Sequence, residues 1–158
     1  MWLTSNRQQL ADPVVQFCEP LVGLTGVLTR SFGGGHWTRD LLFSKDGKKL
    51  YVNKWAGDNM GGTWVFDINA DGTLSNMNKF VDMGGDGMSM DEQGNIYISN
   101  SLGVVVFDPA GNKIMTIDTG GGATNNVFAG ADEKTLFITG PVDKVTSIEM
   151  NVSGVEKF

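Results

Sequence analysis

Two short apolar landmarks recur three times along this chain at nearly one interval, and that repeat constrains the fold more than any other feature. Phe66, Phe107 and Ile148 stand 41 residues apart, in Trp64-Val65-Phe66-Asp67, Val105-Val106-Phe107-Asp108 and Ser147-Ile148-Glu149. Each is an apolar run ending in an acid. A second landmark precedes each of them: Leu50-Tyr51-Val52, Ile96-Tyr97-Ile98 and Leu136-Phe137-Ile138, with the aromatic residues 46 and 40 residues apart. Thr63 to Asp67 and Lys48 to Asn53 alternate with period two and are rich in β-branched and aromatic residues, as half-buried strands are. Lys45-Asp46-Gly47, Asp71-Gly72, Gln93-Gly94-Asn95 and Ala110-Gly111-Asn112 supply turns between them.

A period of about 40–45 residues built from short strands is the signature of β-propeller blades. The fold class expected is therefore all-β, with about three blades of four antiparallel strands, part of a larger ring. The blades fall at about 36–83, 84–122 and 123–158, within a propeller portion spanning 31–158. In the middle blade the strands are expected at Gly87 to Met90, Asn95 to Asn100, Val104 to Asp108 and Lys113 to Asp118. The outer strand of the third blade reads as cut short at Phe158. A β-sandwich would not repeat at 41 residues, and a helical solenoid needs a 3.6-residue period that is absent. Residues 1–30 lie outside the repeat and are left unassigned; Asp12-Pro13 and Glu19-Pro20 break any long helix there.

Composition narrows the chemistry. With 41% apolar and 19% charged residues, the 158-residue chain is of the globular class. A net charge of −6 argues against a nucleic-acid partner. Cys18 and His36 are the only cysteine and histidine, which excludes an internal disulfide and a multi-histidine or cysteine-rich metal site. No run of 18 apolar residues occurs, and Met1 to Arg7 lacks a basic stretch followed by an apolar one. The expectation is a soluble protein with no membrane partner and no signal peptide, its compartment open.

Inner strands of propeller blades begin at the central tunnel, so polar residues there converge on one axis. Counting back four residues from Phe43, Met90 and Phe128 gives Arg39, Asp86 and Thr124, with His36, Asp40 and Asn125 nearby. The same positions also suit polar residues that merely cap strand starts.

Gly85-Asp86-Gly87-Met88 through Ile98 resembles the Pro-Asp-Gly-Met segment of the senescence-marker-protein/gluconolactonase (regucalcin-like lactonase) family. Gly62 to Leu74, Gly103 to Gly111, and Thr124-Asn125-Asn126-Val127-Phe128-Ala129-Gly130 followed by Lys134 to Thr139 resemble further segments of that family, in order. The resemblance covers about residues 41–150. It implies a six-bladed propeller holding a divalent cation, commonly calcium, and hydrolysing a small sugar lactone or similar ester. It makes Asp86 a metal ligand and the group that activates water, and Asn125 a candidate amide contact to metal or substrate. The sequence departs from the family in three places. Arg39-Asp40-Leu41 stands where an Asn-Gly-Leu segment supplies a ligand, Gly85 replaces the usual proline, and the family's first-blade glutamate has no counterpart in Glu19-Pro20.

Gly34 to Ser44, followed by Asp46 to Val52, also resembles sorbosone dehydrogenases, propellers that use pyrroloquinoline quinone. That resemblance makes His36 a base acting on a sugar hydroxyl. Asp67 to Gly72 mimics the start of a calcium-binding helix-loop-helix, but position twelve is Asn78 and no helices flank it, so a solvated hairpin turn is expected. Three functions stand open at this point: a metal-dependent lactonase, a non-catalytic propeller fragment that assembles with a partner (a second copy completing the ring), and a quinone-dependent sugar dehydrogenase.

Overall fold

The computed structural model describes residues 38–54, 61–140 and 144–155. All the described residues belong to one compact unit within His36–Phe158. They form eleven strands: β1 (Thr38–Phe43), β2 (Lys49–Lys54), β3 (Gly62–Ile68), β4 (Leu74–Val81), β5 (Gly87–Met90), β6 (Ile96–Asn100), β7 (Gly103–Phe107), β8 (Lys113–Ile117), β9 (Asn125–Ala129), β10 (Thr135–Thr139) and β11 (Val145–Glu149). Each strand pairs antiparallel with its neighbour in sequence. The result is three sheets, β1-β2-β3-β4, β5-β6-β7-β8 and β9-β10-β11. These are three propeller blades, and the four strands of the middle one lie where the repeat places them.

One turn design recurs in five hairpins, β1–β2, β3–β4, β5–β6, β7–β8 and β9–β10. The carbonyls of Ser44, Asn69, Asp91 and Asp108 each accept the N–H of the residue three positions on, Gly47, Gly72, Gly94 and Gly111, at 2.8 to 2.9 Å. Those glycines sit at φ between 68° and 85°, the left-handed region that side chains resist. The β9–β10 hairpin uses the same bond, from Glu133 N–H to Gly130 O at 3.2 Å, but places Glu133 itself at φ 56°. Asp67 to Gly72 is, as expected, a turn: Asn69 N–H donates to Thr73 O at 2.8 Å as the chain passes from β3 to β4.

Alternation along the strands sorts the side chains onto two faces. One cluster joins the first blade to the second: Leu42, Tyr51 and Val81 against Met88, Met90, Ile96, Ile98, Val105 and Phe107, with Phe80 packed beside them. Phe80 meets Tyr51 edge-on at 5.3 Å and Phe107 at 6.4 Å between ring centroids. The other cluster joins the second blade to the third through Tyr97, Val104, Val106 and Ile117 against Phe128, Leu136 and Ile138. Burying each such side chain contributes on the order of 1.5–3 kcal/mol, so the seams between blades hold this unit together.

The end of the third blade differs from the sequence reading. Among the described residues no strand follows β11 in its sheet; after Met150 the chain crosses back to the end of β5. Glu92 N–H donates to Ser153 O (2.9 Å), Gly154 N–H to Glu133 O (2.9 Å) and Val155 N–H to Met90 O (3.0 Å). Gly154 lies flush against Phe128, where an added Cβ would come within 2.3 Å of the Phe128 Cβ. Backbone partners at the β5–β6 turn and a seat for Val155 beside the first cluster hold residues 151–155 there.

Candidate functional site

The three inner strands β1, β5 and β9 lie side by side, with β5 touching both others. Their starts can be aligned by register. Leu42 pairs with Tyr51, Ser89 with Tyr97 and Val127 with Phe137. Two residues back, Asp40, Gly87 and Asn125 are therefore equivalent, opposite Asn53, Ser99 and Thr139. One residue further back stand Arg39, Asp86 and Thr124. The Asp86 N–H donates to Ser99 O and the Thr124 N–H to Thr139 O, both at 2.8 Å, so these two occupy one position in successive blades. In β1 the register shifts between Thr38 and Asp40.

Asp86 is half-buried at the mouth of β5, with its Oδ1 enclosed from solvent. The glycines on either side bring backbone close to it. A Cβ at Gly85 would fall 2.1 Å from the Ser99 carbonyl oxygen, and one at Gly87 would fall 2.1 Å from Asn125 Oδ1. Asn125, in the third blade, thus abuts the residue after Asp86, while its Oδ1 accepts the Asn126 N–H at 2.8 Å. Thr124 is exposed, its hydroxyl 2.9 Å from that of Thr139.

Asp40 reaches Asp86's strand from the other side. Its Oδ2 accepts the Met88 N–H at 2.6 Å and its Oδ1 the Leu41 N–H at 2.9 Å. Burial raises its carboxyl above the usual range; the two backbone N–H groups oppose that and do not overcome it. Asp40, Asp86 and Asn125 are therefore gathered around the start of β5. His36 lies outside the described residues, and Arg39 is described only as backbone.

The sequence reading passed over a set of buried polar side chains that tie the blades together just behind this mouth. Asn53 Oδ1 accepts the Gly85 N–H at 3.0 Å and lies 3.1 Å from the Thr63 hydroxyl, which donates to Met83 O at 2.9 Å. Asn53 Nδ2 has no partner among the described residues. Across the other seam, Asn126 Oδ1 accepts the Ser89 hydroxyl in a short hydrogen bond, and Asn126 Nδ2 donates to Ser99 Oγ at 2.8 Å. The available signal was the run of polar residues Asn53, Ser99 and Thr139 at the ends of successive second strands.

Three stacked antiparallel blades with polar inner-strand mouths define a partial β-propeller with its candidate site at the blade starts. Residues 26–141 match the family described as the SMP-30/Gluconolactonase/LRE-like region, and the chain belongs to that family. A solved gluconolactonase from Xanthomonas campestris shares 34% identity and a TM-score of 0.59, over 65% of this chain and 34% of that one. A calcium-binding regucalcin from Agrobacterium tumefaciens has the same fold at 22% identity and a TM-score of 0.60, over 77% of this chain and 48% of that one. The chain therefore spans between a third and a half of the length of these structures. No curated protein matches it significantly.

The donor set can be tested against a divalent cation. Among the described residues, no three His, Cys, Asp or Glu side chains converge. Both Asp40 oxygens are already engaged by backbone N–H groups. Asp86 and Asn125 offer a carboxylate and an amide oxygen, the latter already accepting the Asn126 N–H through one lone pair; both are the hard donors that calcium prefers, but far fewer than its six to eight oxygens. The donor types suit a hard cation, and a full shell would need further oxygens from water or other residues. Among the described residues, no helix is long and apolar enough to cross a membrane.

Proposed function

We propose that the site around Asp86 is the working part of a metal-dependent lactone hydrolase of the gluconolactonase type. The observation that carries this is the placement of Asp86, a half-buried carboxylate at an inner-strand mouth, flanked by Gly85 and by Gly87, against which Asn125 packs, in a chain of the gluconolactonase family. Asp86 and Asn125 would hold the cation, with calcium the favoured ion. When bound, it supplies Lewis-acid polarisation of the ring carbonyl.

Asp86 orients a water and takes its proton as the oxygen adds to the carbonyl carbon. The ring C–O bond then breaks, and the proton passes to the departing alkoxide to leave a hydroxy acid. Thr124, exposed beside Asn125, lines the approach for the sugar hydroxyls. The test is hydrolysis of gluconolactone with and without calcium. The native chain should show calcium-dependent turnover and Asp86→Ala should lose it; unchanged turnover in the variant would remove Asp86 from the mechanism.

A second reading, assembly with another copy of the chain, has its own support. Leu41 and Phe43 alternate with buried Leu42, and Phe137 alternates with Leu136 and Ile138; Val145 sits opposite Thr139 on the same face as Phe137. These side chains turn away from the middle blade and are exposed, Phe43 by 57% and Val145 by 71%. Apolar blade faces of this kind are normally covered by the next blade. A second copy would set its third blade on the first blade of its partner, and the two mouths would then share one axis.

A further inference from the structure

We infer that Asp40 and Asn53 are positioning residues for Asp86, acting on its backbone from the neighbouring blade. The inference rests on the reading of Asp86 as the working carboxylate. The segment carrying Asp86 is held at three backbone N–H groups. Asp86 N–H goes to Ser99 O within its own blade at 2.8 Å. The other two go to side chains of the first blade: Gly85 N–H to Asn53 Oδ1 at 3.0 Å and Met88 N–H to Asp40 Oδ2 at 2.6 Å.

The equivalent positions in the third blade show that this arrangement is particular to Asp86. Ala123, the counterpart of Gly85, donates its N–H to the main-chain carbonyl of Asn100 at 2.8 Å and needs no side chain. Asn126, the counterpart of Met88, has its N–H satisfied by the preceding Asn125 side chain at 2.8 Å. In β1 the same local bond runs from Leu41 N–H to Asp40 Oδ1. The middle blade has no side chain of its own for this task, because Gly87 precedes Met88. A side chain there is excluded, since its Cβ would lie 2.1 Å from Asn125 Oδ1. The missing acceptor is supplied across the seam by the second oxygen of Asp40. Glycine thus lets Asn125 pack against the backbone next to Asp86, and Asp40 replaces the hydrogen bond that glycine cannot make.

Asp40 is half-buried and makes the milder variant; Asn53 is fully buried and makes the harsher one. Two measurements on the full chain separate this role from a merely structural one. NMR relaxation reads the backbone order of Asp86 and the exchange protection of the Met88 and Gly85 N–H groups. Calorimetry with calcium alone reads affinity in Asp40→Ala, Asp40→Asn and Asn53→Ala, each with and without Asp86→Ala.

Asp40→Ala should lower the Asp86 order parameter, strip protection from Met88 and weaken calcium binding by about tenfold, as loss of an outer partner of a metal ligand does. Asp40→Asn keeps one oxygen for two N–H groups and should fall between. In the Asp86→Ala background, Asp40→Ala should change calcium affinity no further. Unchanged order at Asp86 in Asp40→Ala and Asn53→Ala would overturn the inference, as would an equal loss of affinity in both backgrounds, which would make Asp40 a ligand itself. Failure of the underlying reading shows separately, as calcium affinity unaltered by Asp86→Ala alone.

Discussion

The Tyr97 hydroxyl donates to Oδ2 of Asp91 at 3.0 Å, with both residues buried in the middle blade. The Asp91 carboxylate also accepts the Gln93 and Asn95 N–H groups at 2.9 Å and the Asn95 side-chain amide at 2.7 Å. One side chain therefore satisfies the β5–β6 turn and the phenol that packs edge-on against Phe128 of the third blade, at 5.1 Å between centroids. Burial, together with the Asp91 charge, pushes the Tyr97 phenol well above its ordinary range and keeps it a neutral donor. Asp91→Ala leaves these donors without an acceptor and should cost about 2–4 kcal/mol, whereas Tyr97→Phe should cost about 1–2 kcal/mol. Denaturant unfolding of both variants checks the order; equal, small losses would show the bond to be incidental.

Glu133 occupies the turn position that glycine fills in the β1–β2, β3–β4, β5–β6 and β7–β8 hairpins, at φ 56°. A side chain in the left-handed region costs about 1–2 kcal/mol, partly offset by the larger unfolded-state entropy of glycine. Glu133→Gly should therefore stabilise the protein, by about 0.5–1 kcal/mol. A thermal melt of this variant that moves down would show that Glu133 makes a contact worth more than its backbone strain.

The acid response follows from the turn carboxylates. Asp67, Asp71 and Asp108 all lie below the ordinary value of 3.8, held there first by side-chain hydrogen bonds, from Asn76, Thr73 and Asn112 respectively. A depressed folded pKa means stability that is present above about pH 4 and lost as pH falls through the folded values below it. Asp40 has the opposite sign: its raised carboxyl favours the folded state below pH 3.8 and that contribution is lost as pH rises through its folded value. Unfolding midpoints measured from pH 6 down to pH 2.5 should decline on the acid side, and Asp108→Asn should flatten the decline. An acid limb unchanged by that substitution would count against the assignment.

Association of two copies predicts that sedimentation equilibrium gives twice the chain mass, and that Phe43→Lys or Val145→Lys returns the chain mass. Both side chains are exposed, so the charges themselves should not unfold the blades. A compact monomer at all concentrations for the native chain would set the assembly reading aside.

Much of the architecture was legible in the residues, for a physical reason. Strand alternation and turn glycines are local codes, and a repeat displays them three times. The middle blade's strands consequently fell within a residue of their observed bounds. The seams were less legible. Asn53 and Asn126 sit in strands where an unpaired polar residue reads as solvent-facing, yet both are buried because their partners, Gly85 and Ser89, belong to the next blade or the previous one. The course of residues 151–155 was hidden for a similar reason. Its hydrogen bonds go to Met90, Glu92 and Glu133, which no local pattern links to it. At the mouth, Asp86 and Asn125 could be found by counting back from landmarks, but the reach of Asp40 to Met88 depends on how two blades pack.

Calcium titration of the native chain against Asp86→Ala, followed by calorimetry, tests the central claim most directly. The account predicts saturable binding by the native chain and a loss of at least about tenfold in affinity in the variant, with the fold retained. Equal affinity in the two proteins, or no binding by either, would contradict the claim that the mouth of β5 is a metal site built on Asp86.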